Sequence, residues 1–317
     1  MDVSELVDRT VRGDHRAIAR AISLVENGAP ELRAIMAGLA PHTGRARVVG
    51  LTGPPGVGKS TTTAALVAEL RARGAGTAVL AVDPSSPFTG GALLGDRVRM
   101  QRHAADGGVF IRSMASRGHL GGLSWATPHA LRVLDAAGFA VVLVETVGVG
   151  QAEVDIARHA DTTVVLCAPG MGDGVQAAKA GVLEIADVFA VNKADRDGAH
   201  ATVRELRQMV GQADRAEGEW RPPIVSTVAA DGTGVAELLD RIDAHDAHLR
   251  RTGELERRRR ARAREEVEAI AVGALRERLA DVHGHAALDA LADRVAAGGT
   301  DPYAAADTLL AAVADAG

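Results

Sequence analysis

The chain has 317 residues, 47% of them apolar, which is more than one average domain needs and leaves room for an added module or two around a sizeable core. A net charge of -5 and few aromatics (four Phe, two Trp, one Tyr) argue against wholesale nucleic-acid binding, which needs a basic field and stacking platforms. The first residues are acidic and polar and no apolar run approaches a membrane span, so a soluble, cytoplasmic protein with no membrane partner is expected. In chain order, residues 1–43 read as two or three short amphipathic helices, with Ile18, Ile22 and Val25 on one face and Gly28 and Pro30 breaking the pattern. From Ala46 the period changes. The runs 46–52, 77–82, 108–113, 140–145, 162–167, 187–192 and 223–228 are short, rich in Val and Ala, and separated mostly by helical segments. Such runs fit strands buried on both faces of a parallel sheet, so residues 44–245 are expected to form a doubly wound α/β domain with ligands at the C-terminal strand ends. The sole cysteine, Cys167, ends one of these runs and reads as a small core residue.

Beyond about residue 245 the strand signals stop. Val267, Ile270, Ala271, Ala274, Leu275 and Leu279 mark one side of a long helix, Gly298-Gly299 breaks it, and an alanine-rich helix starts at Pro302. Residues 246–317 are too thin for a core of their own, so their apolar stripe needs either the main domain or a second copy of the chain. The Arg257–Arg264 cluster is flanked by Glu254, Glu256, Glu265 and Glu266, which favours a solvated, salt-bridged face over a nucleic-acid stripe.

The chemistry is concentrated in three places. Gly53-Pro54-Pro55-Gly56-Val57-Gly58-Lys59-Ser60-Thr61 follows an apolar strand and opens a helix, the context a Walker A loop requires. Glycines 53, 56 and 58 permit the tight turn that points successive N–H groups at phosphate oxygens. Lys59 is placed to neutralise the β/γ oxygens, and the Ser60 hydroxyl to ligate magnesium. Ala140–Val144 then leads to Glu145, either a magnesium-shell carboxylate or a solvent-facing strand end, and to Gly148, whose N–H can meet a γ-phosphate. Finally, Asn192-Lys193-Ala194-Asp195 follows a strand in the order and spacing of a guanine-selecting loop. The Asp195 carboxylate can accept from guanine N1–H and the 2-amino group, which adenine cannot offer. Lys193 can lie along the base, Asn192 can brace the loop, and backbone N–H groups of Val228-Ala229-Ala230 can meet guanine O6. GTP or GDP is therefore the expected ligand.

Together with Val82-Asp83-Pro84-Ser85-Ser86-Pro87, Gly90–Arg97, Ser113–Gly122 and Glu145–Gln151, these motifs resemble the MeaB/ArgK-type GTPases, related to the human MMAA protein. The resemblance covers most of residues 48–235; the flanking helices agree in layout only. It implies a GTP-hydrolysing homodimeric chaperone of an adenosylcobalamin-dependent acyl-CoA mutase, most directly methylmalonyl-CoA mutase. It also implies Asp83 and Asp96 beside Ser60 and Glu145 around Mg2+, although Asp83 also reads as a turn residue before Pro84. Gly170–Lys179 resembles the family's additional switch, in which Asp173 and Gln176 respond to the mutase. Lys179 is either a charge-stabilising catalytic lysine or a solvated helix lysine. Relatives that hydrolyse nucleotide with a lysine from the opposite subunit carry it directly after the first Walker A glycine, where this chain has Pro54. The alternative, a nickel-delivery GTPase, needs a Cys/His cluster, yet Cys167 stands alone and His283 and His285 sit by a turn. An amino-acid-uptake kinase would need adenine selectivity, which Asp195 opposes.

Overall fold

The computed structural model describes residues 1–83, 106–115, 125–146, 152–170, 184–212, 216, 218–280 and 286–315. Three helices, α1 (Val3–Val11), α2 (His15–Glu26) and α3 (Leu32–Leu39), precede the sheet. There follow β1 (Arg47–Thr52), α4 (Lys59–Ala72), β2 (Thr77–Asp83), β3 (Val109–Ala115), α5 (Thr127–Ala136), β4 (Val141–Thr146), α6 (Ala152–His159) and β5 (Thr162–Cys167). The chain continues through β6 (Val188–Asn192), α7 (Ala199–Gln212), β7 (Ile224–Thr227), α8 (Val235–Thr252), α9 (Glu254–Ala280), α10 (Ala286–Ala296) and α11 (Pro302–Asp315).

The seven expected runs are the seven strands. They form one sheet in the order β3-β2-β4-β1-β5-β6-β7, parallel at every pairing. β4, β5 and β6 are buried along their whole length, because helices cover both faces of the sheet. β1 lies between β4 and β5, so the connections leaving its neighbourhood diverge to opposite halves of the sheet. A cleft opens at such a switch point, beyond the C-terminal ends of the strands.

On one face Ile18, Ile22 and Val25 of α2 and Ile35 and Leu39 of α3 share a core with Leu80, Val82, Val142, Val144 and Leu134. The N-terminal helices are thus part of the main core. Each fully buried isoleucine contributes about 2 kcal/mol through removal of apolar surface from water. Asp14 starts α2 by accepting from the Arg16 and Ala17 N–H groups at 2.9 and 3.2 Å, and it also receives the Arg9 fork from α1 at 3.0 and 2.7 Å. On the other face Leu66 and Val67 of α4 and Leu238, Leu239 and Ile242 of α8 pack on Leu51, Val79, Leu143, Val164 and Val188.

Met1–Arg258 form one compact unit and Arg259–Gly317 a second. The first unit includes all of α8, which runs through residue 245, and keeps Leu249 and Leu255 buried. In the second, Leu291 and Ala305 are buried, while Val267, Ile270, Leu275 and Tyr303 are 67%, 50%, 56% and 84% exposed. Among the described residues no helix is long and apolar enough to cross a membrane.

Cys167 is a free, buried thiol at the end of β5. Burial pushes its pKa up to about 11, so the thiolate is scarce near neutrality. Iodoacetamide at about pH 8 is expected to label the protein only after unfolding. Native protein labelled as fast as the denatured chain would place this thiol at the surface.

Candidate nucleotide-binding site

The phosphate loop is shaped by close approach. Gly53 has φ +140°, and a Cβ there would lie 2.3 Å from the Leu166 carbonyl oxygen on β5. Gly58, at φ +97°, caps α4 in the left-handed conformation, and a Cβ there would lie 2.4 Å from Asn192 Nδ2. No other residue type fits either position. The loop turns from β1 straight into the N-terminus of α4, where exposed N–H groups and the helix dipole favour an anion. Lys59, 8% exposed, donates from Nζ to the carbonyls of Gly53 at 2.7 Å and Pro54 at 3.1 Å, which holds its ammonium against the loop.

The Ser60 hydroxyl donates to Glu145 Oε1 at 2.5 Å. β1 and β4 pair with Leu51 opposite Glu145, which sets that carboxylate beside the phosphate loop. Glu145 is 4% exposed, so of the two readings open for it the solvent-facing one does not hold. A buried carboxylate touching a serine hydroxyl is an oxygen-only donor pair, the chemistry a hard divalent cation requires. Asp83 ends β2, one strand further along: Ala81 faces Glu145 and Val82 faces Thr146 in that register. Its side chain lies outside the described residues, as do Asp96, Gly148, Asp173, Gln176 and Lys179.

The second half of the site hangs on one amide. Asn192, 3% exposed at the end of β6, donates from Nδ2 to the Val57 carbonyl at 2.8 Å. Its Oδ1 accepts from the Ala229 N–H at 3.0 Å and from the Thr227 hydroxyl at 3.3 Å. One side chain therefore ties the phosphate loop, the loop after β6 and the loop after β7 together. Lys193 adopts φ +57°, alone among the described non-glycine residues in having a positive value. Such strain marks functional loops, and here it turns the Lys193 side chain back so that Nζ donates to the Gly56 carbonyl at 2.6 Å. The Ala194 N–H donates to the Thr227 carbonyl at 3.0 Å, fixing the loop's backbone. Asp195 is exposed and makes no hydrogen bond to a described residue.

The loop after β7 narrows one expectation. The Val228 N–H donates to the Thr233 carbonyl at 2.9 Å, and the Ala229 N–H is taken by Asn192. Of the three backbone donors expected for guanine O6, only that of Ala230 is left unengaged by the described residues. Thr227 is the contributor that side-chain reasoning missed. Its position at the C-terminal end of a strand was the one available signal.

A family model described as methylmalonyl Co-A mutase-associated GTPase MeaB matches residues 18–283. A protein of Pyrococcus abyssi named as a GTPase is 50% identical over 310 residues, covering 97% of this chain and 96% of the relative. GTPase ArgK of Escherichia coli is 38% identical over 262 residues, 80% of this chain and 79% of its own length. The mouse mitochondrial methylmalonic aciduria type A homolog is 34% identical over 277 residues, 81% and 66% of the two chains. Among solved structures, a crystal structure of an LAO/AO transport system kinase superposes with a TM-score of 0.70 at 27% identity, over 98% of this chain and 97% of that one. With its phosphate and base loops arranged as above, the chain belongs to the MeaB family of P-loop GTPases.

Proposed function

We propose that this GTPase couples hydrolysis of GTP to the loading and protection of an adenosylcobalamin-dependent acyl-CoA mutase, with methylmalonyl-CoA mutase as its partner in the cytoplasm. The observation that carries the nucleotide half of this reading is the Asn192 network, which joins phosphate loop and base loop into one preorganised cleft. The mutase half is supported by the description of the matching family and by the name of the mouse relative. In this reading the backbone of Gly53–Thr61 cradles the phosphates, Lys59 neutralises the β/γ oxygens, and Asp195 selects guanine beside Lys193 and the Ala230 N–H. Ser60 and Glu145, with Asp83 and Asp96, hold Mg2+, which when bound supplies positive charge against the β- and γ-phosphates. Gly148, Asp173, Gln176 and Lys179 act in hydrolysis and in the response to the mutase. The exposed stripe Val267, Ile270 and Leu275 packs against a second copy of the chain, giving a homodimer.

A chaperone that couples turnover to its client hydrolyses GTP slowly until the client completes its switch loops. Purified mutase is expected to accelerate hydrolysis by about tenfold or more, and substitutions at Gln176 or Lys179 should cut that acceleration more than they cut GTP affinity. Turnover indifferent to every acyl-CoA mutase of the same cell would sink the chaperone reading and leave the GTPase standing.

A further inference from the structure

At the sheet edge opposite the nucleotide site, the first residues of β5 and β6 bury a charged cluster that GTP chemistry does not use. Asp187, immediately before β6, accepts the Thr163 N–H on Oδ2 at 2.8 Å. Its Oδ1 lies 3.2 Å from Nε2 of His245, a fully buried residue of α8 whose Nδ1 is 2.9 Å from the Thr162 hydroxyl. The Arg258 guanidinium, from α9, reaches both Asp187 oxygens at 3.3 Å. Trp220 covers the His245 ring, with centroids 4.9 Å apart, and donates Nε1–H to the Asp187 carbonyl at 2.7 Å. Burial pushes the Asp187 carboxyl up, but the hydrogen bond and charge of His245 and the charge of Arg258 outweigh it and hold the group below its ordinary value.

The two halves of this cluster differ in kind. Separating Asp187 from His245 would strand a buried carboxylate, which is costly. Arg258 is different. Its side chain is 35% exposed, and it has a second carboxylate, Glu254, at 3.3 Å on its own helix. If Arg258 withdraws, Asp187 keeps His245 and the Thr163 N–H, while Arg258 keeps Glu254 and water. Neither charge is stranded, so this one contact opens at small cost. Two further observations place the contact at a joint. Gly253, at φ +69°, caps α8 in the left-handed conformation directly before α9 begins. Arg258 is also the last residue of the first compact unit.

We infer that Asp187–Arg258 is a releasable latch on the α8–α9 elbow: closed, it fixes the direction in which α9 leaves Gly253, and open, it frees the helix while the buried Asp187–His245–Trp220 half stays shut. Its consequence for pairing two copies rests on the homodimer reading above; the latch itself does not.

Amide hydrogen exchange on the full chain tests it, in a Trp125→Phe background that leaves Trp220 as the sole tryptophan. Arg258→Ala should lower protection of amides 258–264 about tenfold while amides 238–249 of α8 stay as in the parent and Trp220 emission does not shift. Glu254→Gln, which leaves Asp187–Arg258 in place, should stay close to the parent. Unchanged protection in Arg258→Ala would overturn the latch. So would a loss shared with α8 or accompanied by a Trp220 shift, since the contact would then be an ordinary part of the core. Light scattering on the same samples separates the two readings: a monomeric parent with an opening latch removes only the homodimer, and a dimer with unchanged exchange removes only the latch.

Discussion

Lys59→Ala is expected to abolish tight nucleotide binding. In the structure the ammonium is held against its own loop by the Gly53 and Pro54 carbonyls and is almost wholly shielded from water. A phosphate oxygen that takes the place of those carbonyls gains a charge-assisted hydrogen bond in a poorly screened setting. Two such bonds, at roughly 1.5–3 kcal/mol each, correspond to about two to four orders of magnitude in affinity. The fold should survive the change. Lys59 is the first residue of α4, alanine is the best helix former, and the loop's shape is set by Gly53, Gly58 and the Asn192 amide, not by the lysine. Calorimetry with GDP and magnesium reads the loss, and thermal unfolding of the same sample checks that the protein is folded. A variant that binds GDP within tenfold of the parent would take Lys59 out of the phosphate site.

The sheet and this loop were legible in sequence for the same physical reason: local patterns carried them. A strand buried on both faces must be a continuous apolar run, as in Val141–Thr146 and Thr162–Cys167, and the turn at Gly53–Gly58 can be made only by glycines. What was not legible depends on residues distant in sequence. Asp187, His245 and Arg258 come from three separate stretches, and Arg258 sits in an arginine run that reads as a solvated face, yet its guanidinium turns inward onto a buried carboxylate. The burial of Glu145 likewise follows from its neighbours in the sheet, since an acid at a strand end also suits solvent. The use of the Val228 and Ala229 N–H groups was hidden because backbone hydrogen bonding leaves no mark on side-chain pattern. The N-terminal helices carried their apolar periodicity openly, but only the packing of Ile18 and Ile22 with Leu80 and Val142 shows that they complete one face of the main core.

Asp195→Asn is expected to convert a guanine site into a xanthine site. The substitution is nearly isosteric at an exposed position, and the loop's backbone is fixed from elsewhere: Ala194 bonds to Thr227, Asn192 bonds to Val57 and Ala229, and Lys193 bonds to Gly56. The change therefore alters donors and acceptors without moving them. A carboxylate accepts from both guanine N1–H and the 2-amino group. The amide of the variant accepts only once and turns its NH2 toward the guanine amine, two donors face to face. Losing two charge-assisted bonds, at roughly 1.5–3 kcal/mol each, predicts weaker GDP binding by at least about a hundredfold. Xanthine reverses the pattern, because its 2-oxo group accepts from the new NH2 while its N1–H still donates to the amide oxygen. Titrating parent and variant with GDP, XDP and ADP tests the assignment directly: the order should be GDP first for the parent and XDP first for Asp195→Asn, with ADP weak for both. A variant that keeps the parent's preference for GDP would show that the base is read by some group other than Asp195.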